Sequence, residues 1–145
     1  MSLFHLLSVS ASGMAAQRMR AELLAENLAN AETTRTPSGG PYRRKDVVFQ
    51  SAPQVGAFSS VFEEMAGPMS TGVEAGEVLE DQSPPEQRYM PGHPDADANG
   101  YVSFPNVNPA EEMANLMAAS RGYQANISSM TVVKDMIHRS LDLMR

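Results

Sequence analysis

The chain has 145 residues, of which 42% are hydrophobic and 19% charged, enough for a core of its own and too apolar for wholesale disorder. A formal net charge of -6 argues against nucleic acid as a partner, because phosphate binding needs a clustered basic footprint. There is no Cys, so disulfides and thiolate chemistry are excluded, and no apolar run reaches the roughly 18 residues of a membrane-spanning helix.

The start of the chain lacks the charged and apolar regions of a Sec signal, which leaves export by another route open. In residues 1–31, Arg18 and Arg20 balance Glu22 and Glu26. In residues 109–145, Arg121, Lys134, Arg139 and Arg145 balance Glu111, Glu112, Asp135 and Asp142. The whole net charge therefore sits in residues 32–108. Neutral ends suit close packing among many copies, and an acidic middle suits exposure to water.

Residues 3–31 contain no Pro and one Gly, with Ala, Leu and Met dominating, which predicts a long helix. Leu7, Met14, Ala21 and Leu28 recur at intervals of seven, with Leu3 and Leu24 on the adjoining seam. Ala11, Ala15, Ala16, Ala25 and Ala29 would admit neighbouring helices closely on more than one face. The stretch 34–41, rich in Thr, Pro, Ser and Gly, reads as a linker. The basic run Arg43-Arg44-Lys45, followed at once by Asp46, reads as a solvated patch.

Strands are expected at 42–50, 73–80, 87–90 and 101–104, with a loop over 54–71 that holds a helical turn near 62–65. A second long helix opens at Asn108-Pro109-Ala110-Glu111, an N-cap followed by Pro at the first helical position and Glu at the third. Leu116, Tyr123, Met130, Ile137 and Met144 form one heptad line, with Met113, Ile127 and Leu141 on a second, imperfect one. Gly122 leaves open a split into two helices. At ~1.5 Å per residue both helices outrun a compact globule of this length, so their extra apolar faces call for partners.

The fold class is thus mainly α with a small β domain. Long antiparallel terminal helices, coiled-coil-like, occupy residues 1–31 and 109–145, and a β-rich domain is inserted at 32–108. The interface candidates are Leu3, Leu7, Met14, Ala21, Leu24 and Leu28 on the first helix. On the second they are Leu116, Tyr123, Ile127, Met130, Ile137, Leu141 and Met144.

No constellation points to catalysis. Asp95, Asp97, Asn99 and Gly100 match the opening of a calcium-binding EF-hand loop, but Asn106 stands where a bidentate Glu is needed. These residues read better as a turn before the strand at Tyr101. His5, His93 and His138 lack metal-ligand spacing, and no nucleophile or phosphate-loop motif occurs. No cofactor is expected. Met113, Met117, Met130 and Met144 read as fillers of uneven helix interfaces.

Longer motifs point to a family. Residues 10–18 with 25–31, then 41–45, then 92–108, then Met113-Ala-Asn-Leu-Met-Ala-Ala-Ser-Arg-Gly-Tyr-Gln-Ala-Asn126, resemble the bacterial flagellar basal-body rod proteins, above all those of the proximal rod. The resemblance implies export unfolded through the flagellar type III apparatus and assembly in the periplasm into the rod that joins motor to hook. It implies terminal helices forming a tube, a β domain outside, and torque passing between this chain, its copies and other rod proteins. Under it, Asn27 and Asn30 are expected to bond adjacent subunits. His93, Asp95, Asp97, Gly100 and Tyr101 are expected to brace a structural turn. The alternative is a cytoplasmic coiled-coil adaptor.

Overall fold

The computed structural model describes residues 3–52 and 72–143. The expected loop over 54–71 and Met144 lie outside them. Among the described residues six elements follow in order: α1 (Leu3–Ala29), β1 (Lys45–Ser51), β2 (Val73–Glu80), β3 (Glu86–Tyr89), β4 (Tyr101–Phe104) and α2 (Pro109–Asp142). The described fold is mainly α with a small β part. Two long helices account for 27 and 34 residues, about 40 and 51 Å of helix. Gly122 does not split α2, consistent with a cost of only ~1 kcal/mol for an isolated helical Gly.

The start of α2 follows from its first residues. Asn108 Oδ1 accepts the Ala110 N–H at 3.1 Å, and Glu112 N–H donates to the Asn108 carbonyl at 3.0 Å. Glu111 and Glu112 place negative charge in the first turn, against the positive end of the helix dipole.

β1 pairs with β2, and β3 pairs antiparallel with β4, Glu86 opposite Phe104 and Tyr89 opposite Tyr101. Val102 and Phe104 alternate inward on β4 and are buried. Every residue of β3 is exposed.

The chain clusters into two compact units. The first comprises Met1–Met19, Phe49–Gly76 and Ser120–Arg145. Within it, α1 and α2 run antiparallel: Gly13 meets Asn126, and four residues further along α1, Gln17 meets Gly122 four residues earlier on α2. A Cβ at Gly13 would lie 3.1 Å from the Asn126 amide, and one at Gly122 3.1 Å from Gln17. Each glycine thus receives an amide side chain from the opposite helix. Ser12 Oγ joins α1 to the start of β2 by accepting the Val73 N–H at 3.0 Å.

The second unit comprises Arg20–Val48 and Glu77–Ala119. Leu24, Tyr42, Val47, Val102, Phe104 and Ala119 are its buried apolar residues, and Asn27 and Glu112 are buried with them.

Candidate assembly site

The linker is a closed loop. Tyr42 N–H donates to the Thr33 carbonyl at 3.0 Å, and inside that ring Thr36 N–H donates to Gly40 at 2.9 Å. Gly39 and Gly40 hold φ of 87° and 78°, a conformation that disfavours other residues. The loop returns Tyr42 to the end of α1, where Asn27 waits at 0% exposure.

Asn27 uses its whole amide. Nδ2 donates to the Lys45 carbonyl at 2.8 Å and to Glu112 Oε2 at 3.1 Å. Oδ1 accepts the Tyr42 hydroxyl and the Lys45 N–H, both at 2.9 Å. Two donors and two acceptors are the full inventory of this side chain. Asn27 therefore joins α1, the linker's end, β1 and α2 within one chain. Within this chain its hydrogen-bonding capacity is fully used.

Glu112, 1% exposed, is held from its other side by Arg44 Nε at 2.6 Å. That bond raises the Arg44 pKa above its ordinary value. Lys45 Nζ reaches Glu26 Oε1 at 2.6 Å, and Arg43 donates to Gln82 Oε1 at 2.7 Å. Arg44 and Lys45 are thus half-buried anchors, while Arg43 stays exposed to solvent. Burial pushes the Tyr42 hydroxyl up to about 12, helped by the Glu26 and Glu112 carboxylates.

Around residues 93–101, Asp97 Oδ1 accepts the N–H groups of Asn99 and Tyr101, both at 2.8 Å. Gly100 supplies φ of 83°, and Met90 N–H closes onto its carbonyl at 2.9 Å. His93 Nδ1 accepts the Asp95 N–H at 3.1 Å, while Thr34 Oγ1 donates to Asp95 Oδ2 at 2.8 Å. Tyr101 meets Tyr89 edge-on with ring centroids 5.4 Å apart.

The helix candidates divide. Leu24 is 4% exposed and covered by its own chain. Leu3, Leu7, Met14, Ala21, Leu28, Leu116, Met130 and Ile137 are half-buried. Asn30, also half-buried, donates to the Glu26 carbonyl and accepts the Thr33 hydroxyl. Tyr123, Ile127 and Leu141 are exposed by 37, 43 and 53%, and Met113, Met117, Val132 and Met136 are about as open. The line of α2 facing its own chain is instead Glu112, Ala119, Asn126 and Val133. On α1, Ala16 faces inward, while Ser8, Ala11, Ala15, Ala25 and Ala29 are exposed at near-heptad spacing.

Among the described residues no group of His, Asp or Glu is placed to hold a metal, and no helix is long and apolar enough to cross a membrane. The family model for the flagellar basal body rod FlgEFG protein C-terminal region matches residues 98–143, which contain β4 and all of α2. The flagellar basal-body rod protein FlgC of Salmonella typhimurium is 43% identical over 99% of this chain and 98% of its own length. The chain belongs to the FlgC family of flagellar basal-body rod proteins. FlgC of Bacillus subtilis is 40% identical, and FlgC of Borreliella burgdorferi 37%, each with 99% of its length covered. The FlgC family is structural and not enzymatic.

Glu112, Arg44, Tyr42 and Lys45 were not among the site candidates drawn from sequence. The signal lay in polar residues at the ends of two apolar segments, Asn27 and Glu112, each too close to a helix core to face water.

Proposed function

We propose that this chain is a structural subunit of the flagellar proximal rod whose terminal helices pack, coiled-coil fashion, against copies of itself and other rod proteins. Residues 1–31 and 109–145 make the tube wall, and residues 32–108 stand outside it as a separate β-rich domain. The observation that carries this reading is the outward face of α2. Met113, Met117 and Ile127 share that face, and with Met136 and Leu141 open on other sides of the helix they leave more apolar surface uncovered than a lone helix pair has reason to keep.

Export through the flagellar type III apparatus is part of the proposal. The helices bury only a few apolar side chains, Ala16, Leu24, Ala119 and Val133, rather than a large apolar core, which favours unfolding for passage. Torque then travels along helices of about 40 and 51 Å, clamped to neighbours over their length.

Ile127→Glu and Met117→Glu test the reading. Each is expected to leave the free subunit's stability within ~0.5 kcal/mol, as surface changes do. Each is also expected to abolish rod assembly and motility. Normal motility in both variants would contradict a docking role for this face.

A further inference from the structure

With no Cys in the chain, its eleven methionines are its readily oxidised sulfurs. The structure sorts those it describes into two sets. Met90, Met113, Met117 and Met136 are 44, 52, 57 and 51% exposed, whereas Met14, Met19 and Met130 are half-buried. Three of the exposed four lie on α2, and Met113 and Met117 sit one turn apart on the same side.

We propose that Met113, Met117 and Met136 are sulfoxidation sites of the unassembled subunit, open to hydrogen peroxide, and that their oxidation blocks docking of α2. In the step, a thioether lone pair attacks one peroxide oxygen. The S–O bond forms as the O–O bond breaks, and the departing hydroxide takes the proton of the transferred oxygen and leaves as water. Sulfur is oxidised by two electrons and the peroxide is reduced by two.

The product is a polar sulfoxide in place of a flexible apolar side chain. Pressed against an apolar neighbour it would lack a hydrogen-bond donor, and an unsatisfied polar group resists burial. This consequence rests on the reading of α2 as a docking surface. Docking in turn shields the same sulfurs, so oxidation is confined to subunits not yet assembled.

The purified full chain, treated with hydrogen peroxide and mapped by peptide mass spectrometry, tests the sites. Met113, Met117 and Met136 should convert at least about fivefold faster than Met14, Met19 and Met130, because sulfoxidation follows exposure. Equal rates would overturn the assignment.

The consequence is tested in cells given sublethal peroxide while the chain is induced, with basal bodies counted by electron microscopy. The wild-type chain should lose basal bodies about fivefold relative to a Met113→Leu, Met117→Leu, Met136→Leu variant, which cannot form the polar product. Equal loss in both strains would overturn the proposal. Ile127→Glu, which carries no sulfur, reports separately on whether α2 docks by this face.

Discussion

The inward side of α2 mixes the polar Glu112 and Asn126 with Ala119, Val133 and the half-buried Leu116, Met130 and Ile137, whereas Met113, Met117, Ile127 and Leu141 stand open as large apolar side chains among exposed polar ones. A self-sufficient helix pair would leave fewer large apolar side chains open. The inward line works by specificity: Glu112 needs Arg44 and Asn27, and Asn126 needs the space left by Gly13. The outward line works by area, which has no fixed partner geometry and suits neighbours of several kinds. One helix thus divides the tasks of holding the chain and meeting other chains.

Substitutions at Asn27 should break the inward side most severely. Asn27→Ala leaves the Glu112 carboxylate, the Tyr42 hydroxyl and both Lys45 backbone groups short of partners in a buried place. A loss of about 4 kcal/mol is expected in urea unfolding followed by helical circular dichroism. Glu112→Gln keeps the shape but removes the charge that Arg44 meets, for about 2 kcal/mol.

Tyr42→Phe deletes one hydroxyl donor to Asn27 and should cost about 1 kcal/mol. Tyr42 also sharpens the comparison through pH. Its hydroxyl pKa is raised from 10.0 to about 12 in the folded chain, so folding favours the protonated form. That contribution is complete below pH 10 and is lost as pH rises towards 12. A phenolate absorbance titration should show a late-titrating component that is absent in Tyr42→Phe. Away from both helices, Asp97→Ala removes the acceptor for two backbone N–H groups and should cost about 1 kcal/mol, with Asp97→Asn restoring most of it.

Much of the fold could be read before the structure. The strands at 73–80 and 101–104 were bounded correctly by β-branched and aromatic residues between turn signals, and Asn108-Pro109 marked the start of α2. The helix seam was harder to read. A heptad of apolar residues says that a helix has a partner, but not whether the partner is the same chain. Leu116 and Ile137, on the unbroken heptad line, are half-buried, while Ile127 and Leu141, on the imperfect one, are open, although all four were interface candidates. The Asn27 cluster escaped for another reason. Its members lie up to 85 residues apart, and each had a sufficient local explanation: a helix-end amide, a basic run, a first-turn glutamate.

The absence of cysteine makes the decisive measurement clean. Single cysteines placed at Ile127 and Met117 can be labelled with a maleimide in the free chain and again in purified basal bodies. Rapid labelling of the free chain, slowed at least about tenfold in the basal body, is expected if the outward face of α2 meets other subunits. Equal labelling rates in the two states would contradict it, leaving that apolar face without the neighbours it is proposed to serve.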